Sequence, residues 1–81
     1  RFAYQALLYQ LTAKQKQVLI AIAKEGKPSS LMSQEFLQKY HLGASTIQGA
    51  VKTLLDRDFI TRDEGVFQLC DKFLELSLRD N

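Results

Sequence analysis

Polar side chains suited to contacting nucleic acid cluster between residues 45 and 57, where apolar residues recur at helical spacing. With about 100° of rotation per residue, the face opposite those apolar positions and its N-terminal flank comprise Thr46, Gln48, Gly49, Lys52 and Thr53. Gln, Thr and Lys side chains can contact base edges and phosphates. A mid-helix glycine costs about 1 kcal/mol relative to alanine, so a close approach by DNA or another helix is expected there. The alternative is an ordinary solvent-exposed surface.

The charges near this face weaken its attraction to DNA. Asp56 falls on the same face, and Asp63 and Glu64 occupy the predicted hairpin tip beside Arg62. Of these only Arg62 would attract phosphates, because DNA carries about one negative charge per 1.7 Å. The net charge of +2, from 11 Lys and Arg against 9 Asp and Glu, permits DNA binding without requiring it. Two hypotheses stay open: a module that binds double-stranded DNA through helix 45–57, and a protein-interaction module without DNA contact.

Catalytic and metal-binding chemistry find little support in the sequence. Cys70 and His41 cannot make a zinc site alone. With one histidine, no obvious cleft and so small a body, neither a Ser-His-Asp arrangement nor a pair of catalytic carboxylates is supported. No G-x-x-x-x-G-K-[ST] phosphate loop occurs. We therefore predict no catalytic residue, no metal ligand and no cofactor in this chain, and no enzyme activity of its own. His41 is predicted to end a helix, and Cys70 and Tyr40 are predicted to be buried.

The composition indicates one small soluble domain. The 81 residues are 46% hydrophobic and 25% charged, with four Gly and one Pro, which excludes collagen and disordered tails. Every apolar run is interrupted by polar residues, so no membrane span is predicted. A single cysteine excludes an internal disulfide and predicts a reducing, cytoplasmic compartment. Because the sequence begins with Arg1 rather than Met, we expect a piece of a longer protein.

Two helices are predicted before the polar cluster. Thr12 with Gln15 three residues later forms a capping-box pattern, and this first helix is expected to end at Gly26 as a left-handed C-cap. Ser33 is expected to cap a second helix over roughly 34–41 that Gly43 ends. Between the two helices lies a loop, whose residues Leu31 and Met32 are predicted to form a single strand rung.

The third helix follows a tight turn. Ser45 is predicted to cap it, with Gln48 at the capping-box position. Its apolar stripe comprises Ile47, Ala50, Val51, Leu54 and Leu55. The connection from the second helix, residues 41–44, is short and contains glycine, which is typical of a helix-turn-helix.

After Asp58 the pattern becomes that of strands. Residues 59–62 and 66–69 are rich in β-branched and aromatic types, and a three-residue loop ending in Gly65 predicts a hairpin with a G1 bulge. Asp71 is expected to cap a short final helix. Three helices followed by a hairpin and a short helix predict a mainly helical α+β fold, the winged helix-turn-helix, over residues 11–81.

Residues 1–10 are predicted to be the tail of an upstream helix or an inter-domain linker. The segment carries apolar and aromatic residues at helical spacing but no capping residue. Its strip of Tyr4, Leu7 and Leu8 is expected to fold back on the domain or to bury itself against a second copy as a weak homodimer.

Three runs in the chain resemble a known family. They are LTAKQKQVLIAIAKEG, STIQGAVKTLLDRDFI and EGVFQLCDKFLEL, and they look like the C-terminal winged-helix domain of archaeal-type AAA+ ATPases, a family also found in bacteria. The resemblance covers about residues 8–79. Many such domains have Asp-Pro after the hairpin and a Trp one turn later, whereas here Lys72 follows Asp71 and the chain has no Trp. The resemblance implies an ATP-binding parent protein whose other domain holds ATP and magnesium and contacts this one.

Overall fold

The computed structural model describes the backbone of residues 2–80 and the side chains of residues 5–80. Its elements are α1 (Phe2–Leu8), α2 (Ala13–Glu25), α3 (Gln34–Tyr40), α4 (Ala44–Asp56), β1 (Ile60–Asp63), β2 (Val66–Leu69) and α5 (Lys72–Leu78). Within the described residues the only sheet is the antiparallel β1–β2 hairpin, called the wing below. The mainly helical α+β class is confirmed, and α2, α3 and α4 are the three predicted helices.

Helix α2 begins as the sequence predicts. The Thr12 side chain accepts from the Gln15 backbone N–H at 3.1 Å, and the Gln15 side chain accepts from the Thr12 N–H at 3.0 Å. Its end differs from the prediction, because Gly26 has φ 92° and ψ −90°, which lies outside the left-handed helical region. This conformation still needs glycine, and it turns the chain sharply toward Pro28, which is buried.

The turn between α3 and α4 is built without a left-handed glycine. Ser33 caps α3 as predicted, accepting from the Phe36 N–H at 3.1 Å. At the other end His41, not Gly43, adopts the left-handed conformation, with φ 56° and ψ 47°. The Leu42 N–H then donates to the Leu37 carbonyl at 3.0 Å, which completes a Schellman motif. Burial of Leu42 holds this turn closed and stabilises the unusual conformation of His41.

Helix α4 starts earlier than predicted. Gly43 is its N-cap in an extended conformation and offers no side chain to the first-turn N–H groups. Ser45 is therefore the second residue of the helix, and the predicted capping box with Gln48 is wrong. At the C-terminus, Asp58 has φ 63° and the Phe59 N–H donates to the Leu54 carbonyl at 2.9 Å. This second Schellman motif directs the chain from α4 into the wing.

The wing turns over two residues rather than three. Asp63 pairs with Val66, so only Glu64 and Gly65 form the loop, at φ 51° and 80°. Two consecutive positive φ values are typical of a type I′ turn, whose twist matches that of the strands. The predicted G1 bulge is therefore wrong.

Residues 31 and 32 lie in bends and form no strand rung. The wing instead meets the preceding loop through one backbone hydrogen bond, from the Phe67 N–H to the Pro28 carbonyl at 2.9 Å. This bond, together with the buried side chain of Leu31, fixes the loop beside the wing.

A single core lies between α2, α4, α5 and the wing. Its fully buried large side chains are Val18, Leu19, Ile22, Ile47, Leu54, Ile60 and Leu78. The final helix starts as predicted, since the Asp71 carboxylate accepts from the Phe73 N–H at 2.9 Å and the Leu74 N–H at 3.1 Å. Helix α5 packs on α2.

Helix α1 touches this core at one edge. Leu8 is half-buried against the core cluster, whereas Leu7 is 42% and Tyr9 93% exposed. The Arg57 guanidinium donates to the Gln10 carbonyl at 3.4 Å, which joins the α1–α2 link to the end of α4. The side chain of Tyr4 lies outside the described residues, and pairing of two copies through residues 1–10 stays a prediction.

Candidate functional site

Helix α4 presents the predicted polar face, but its members differ in exposure. Gln48, Gly49 and Lys52 are exposed, whereas Thr46 and Thr53 are half-buried. On the opposite side Ile47, Ala50 and Leu54 are buried in the core. The amphipathic pattern of the sequence therefore orients the helix correctly, and it leaves the polar residues of the middle turns open to a partner.

Lys52 is paired within its own helix. Its ammonium lies 3.4 Å from the Asp56 carboxylate, and the two side chains are 80% and 66% exposed. Exposed pairs four residues apart on a helix contribute only about 0.3–0.5 kcal/mol. Breaking this ion pair so that Lys52 can contact a phosphate therefore costs little free energy. The Asp56 carboxylate nevertheless stays on the same surface.

Among the described residues, none occupies the space above Gly49. A Cβ placed there would meet no described atom within 4 Å outside its chain neighbours and the backbone of its own helix, so tertiary packing gives no reason for glycine at this position. The Thr53 hydroxyl donates to the Gly49 carbonyl at 3.4 Å. Through that bond the Thr53 hydroxyl is engaged with the preceding turn of its own helix, as is common for threonine inside a helix.

The wing carries one cation toward α4. Arg62 pairs across the hairpin with Phe67, and its guanidinium carbon lies 5.3 Å from the centroid of that ring. Because side chains alternate along a strand, Asp63 points to the other face of the wing. The tip itself is acidic on its exposed residues Asp63 and Glu64.

A groove of about 540 Å³ between α4, the wing and residues 29–32 brings part of the predicted site together. Gln48, Lys52 and Arg62 line it, whereas Thr46, Gly49 and Thr53 do not. Its apolar wall consists of Leu31, Met32, Ile47, Val51, Leu55 and Phe67. The sequence analysis did not predict this apolar wall. The only sequence feature that indicated it was the apolar pair at 31 and 32 inside a loop.

A family model described as a probable winged helix domain matches residues 2–80. The chain belongs to this winged-helix family. The match includes α1 as well as the core elements. Neither the search of curated proteins nor the search of solved structures returned a match.

Other charged side chains of the winged-helix domain are partly neutralised. The Tyr40 hydroxyl donates to the Glu25 carboxylate, and the Lys39 ammonium lies 3.1 Å from the same carboxylate. The hydrogen bond from Tyr40 and then that from Lys39 hold the pKa of Glu25 below its ordinary value. Tyr40 is half-buried rather than a core residue, and its ring packs 5.0 Å from that of Phe36. Lys39 is thus less available to a phosphate than its exposure suggests.

The structure confirms the predicted place of His41 and contradicts that of Cys70. His41 ends α3 as expected, but it does so through its left-handed backbone. Cys70 is exposed, contrary to the predicted burial. Its backbone N–H donates to the Phe59 carbonyl at 3.0 Å, just beyond the paired strands of the wing. Local desolvation, and secondarily Asp58, raises the pKa of the Cys70 thiol.

The described part of the chain contains neither a group of metal-ligating side chains nor a membrane-spanning helix. Between residues 2 and 80, no three His, Cys, Asp or Glu side chains are grouped to hold a metal ion. Over the same residues, no helix combines the length and the apolar character needed to cross a membrane.

Proposed function

We propose that this winged-helix domain binds double-stranded DNA by placing the exposed face of α4 in the major groove. The observation that carries the proposal is the open surface at Gln48, Gly49 and Lys52, in the second helix of a helix-turn-helix. That helix is the one that enters the groove in proteins of this architecture. Gln48 suits the edge of adenine, and Lys52 suits guanine or a phosphate.

The start of α4 supports the same orientation. Its N-cap, Gly43, provides no side-chain hydrogen bond, so the N–H groups of the first turn lack a side-chain partner among the described residues. Free N–H groups at a helix N-terminus attract phosphates. The Ser45 hydroxyl lies exposed in the same turn.

In this orientation the tip of the wing is expected to stay away from the phosphates. Its acidic tip at Asp63 and Glu64 would be repelled by the duplex, while Arg62, nearer to α4, would favour contact. Replacing both Asp63 and Glu64 by Lys should tighten non-specific duplex binding and steepen its salt dependence if the tip approaches DNA. Unchanged binding at low salt would place the tip away from DNA without affecting the role of α4.

We further propose that the domain is an accessory part of a AAA+ ATP-binding protein. The resemblance in residues 8–79 supports this parent, and family membership supports the fold on which it depends. Since the 81 residues contain no phosphate-binding loop, ATP and magnesium would bind elsewhere in the parent. Magnesium-ATP titration should shift no resonance of the isolated domain, whereas the longer protein should bind the nucleotide.

The experiment for DNA binding is fluorescence anisotropy with short duplexes near physiological salt. The double variant Gln48→Ala with Lys52→Ala should lose about 1–3 kcal/mol of binding free energy for the base-edge contact. Loss of one phosphate contact should also reduce the salt slope by about 0.9. Stability should change by no more than about 0.5 kcal/mol, because both side chains are exposed.

A matched control removes the same two residue types elsewhere. Lys16 and Gln17 are adjacent exposed residues of α2, so Lys16→Ala with Gln17→Ala should leave duplex affinity nearly unchanged. Wild-type binding no tighter than about 10⁻⁴ M, the weak end of non-specific affinity, and unaffected by the α4 variant would refute the DNA proposal.

The second candidate function is protein interaction, including contact with the ATPase domain of the parent. The apolar wall of the groove and the acidic wing tip favour it, because neither complements a phosphate backbone. In this case DNA binding is weak for every variant. The Gln48 and Lys52 replacements would instead change the affinity of the isolated domain for the ATPase domain, measured by calorimetry.

A further inference from the structure

The groove between α4 and the wing is suited to an apolar group. Its volume of about 540 Å³ lies within the range of ligand pockets. In its apolar wall Val51, Leu55 and Phe67 are half-buried, and Met32 is 42% exposed. Methionine is flexible and polarizable, so Met32 can adapt to the shape of an incoming side chain.

The groove is lined by two cations and one carboxylate, so its net charge is positive. Lys52 and Asp56 neutralise each other at 3.4 Å, so the uncompensated charge belongs to Arg62. Arg62 forms no ion pair with a described carboxylate and lies over the ring of Phe67. Its guanidinium is thus held beside the apolar wall, and a guanidinium is weakly hydrated and binds carboxylates through two parallel hydrogen bonds.

We propose that this groove binds an acidic, apolar segment of a partner protein. A Leu or Phe of the segment would enter between Met32, Val51 and Phe67, and an adjacent Glu or Asp would pair with Arg62. A duplex offers negative charge but cannot extend a large apolar group into the groove, which is why a polypeptide fits better. Amphipathic segments commonly bind such apolar grooves through regularly spaced anchors.

The test uses three labelled synthetic peptides of about 12 residues, long enough for about three helical turns. The first places Leu or Phe at intervals of three and four residues, on one face of a helix, and Glu at the positions between them. The second replaces every Glu by Lys, and the third replaces every Leu and Phe by Ser. Anisotropy should give at least tenfold tighter binding for the first peptide than for either of the others. In ¹⁵N-resolved spectra its contacts should map to Val51, Phe67 and neighbouring groove residues.

Two variants and one control make the assignment specific. Arg62→Glu should invert the preference between the acidic and basic peptides, and Met32→Ser should weaken the acidic peptide severalfold while leaving its charge preference intact. Lys16→Glu makes the same charge change on exposed α2 and should leave the preference unchanged.

Several results would overturn the proposal. They are equal affinity for acidic and basic peptides, an equal response to Lys16→Glu and Arg62→Glu, and no binding at about 1 mM peptide, the weak limit of measurable recognition. If a duplex shifts the resonances of Val51 and Phe67 while the peptide does not, DNA is the occupant. The peptide assay contains no DNA, so its failure is distinct from failure of the proposed DNA contact.

Discussion

Replacing Gly49 by Ala separates the stability of the domain from its proposed function. Gly49 lies within α4 and is exposed, and an added methyl group would meet no described atom within 4 Å beyond its chain neighbours and the backbone of α4. The substitution therefore introduces no clash, removes backbone freedom from the unfolded chain and supplies the best helix-forming residue. We expect Gly49→Ala to stabilise the folded domain.

The expected size follows from helix propensity alone, because packing contributes nothing at this position. Glycine is about 0.8–1.0 kcal/mol less favourable than alanine inside a helix. For a domain of this size, 1 kcal/mol corresponds to about 4–8 °C in Tm. Urea denaturation and thermal melting should both report an increase of this size.

The matched control is Gly65→Ala in the wing turn. A Cβ at Gly65 would also meet no described atom within 4 Å beyond its chain neighbours, but φ is 80° there. Since both positions are sterically open, the difference in stability between the two variants isolates the effect of backbone conformation. Gly65→Ala should destabilise the domain by about 1 kcal/mol or more, because alanine strongly disfavours positive φ.

Duplex binding should respond in the opposite direction at Gly49. If α4 enters the major groove with its backbone close to DNA, the added methyl group should weaken binding severalfold although the protein is more stable. Increased stability with unchanged affinity would refute the explanation of Gly49 by close approach of DNA. Decreased stability would contradict the structural placement of Gly49 at an open helix surface.

Three further changes test the structure. Arg79→Ala should lower the free energy of unfolding by about 2 kcal/mol in urea denaturation. The reason is that Arg79 donates to the Ala23 carbonyl at 3.0 Å and lies 3.6 Å from the buried carboxylate of Glu75. A loss below about 0.5 kcal/mol, as for an exposed residue without such contacts, would contradict these contacts. Glu64→Asn should raise stability by about 0.5 kcal/mol or more, since asparagine tolerates the positive φ of this turn. Tyr40→Phe should cost about 0.5–1 kcal/mol at neutral pH. Because the folded-state pKa of Glu25 is lowered, this difference should disappear as pH falls below the ordinary value of 4.5; a constant difference from pH 7 to acid would show that the hydroxyl does not stabilise the carboxylate.

Local sequence patterns determined where most helices begin. The caps at Thr12, Ser33 and Asp71 were predicted and are present, because a capping bond joins residues only two or three positions apart. The apolar periodicity of α2 and α4 likewise identified their buried faces, since helical geometry fixes which positions share a face. The order of these elements was enough to predict the winged helix.

Tertiary packing decided the turns. The positive φ of His41 and of Asp58 could not be predicted from residue type, which favours glycine in such conformations. In each case the following residue, Leu42 or Phe59, is buried, and its burial offsets the strain. The early start of α4 at Ala44 has the same origin, because Leu42 fixes where the chain leaves the first Schellman motif.

Contacts between distant parts of the chain were also decided by the tertiary structure. The groove joins Met32, Val51 and Phe67, which belong to three separate segments, and Arg79 reaches Ala23 across 56 positions of sequence. The sequence by itself determined that α4 has a polar face and that the wing tip is acidic. Only the packing of the wing against α4 placed Arg62 beside an apolar wall, because no periodic pattern encodes which surfaces meet once several elements share one core.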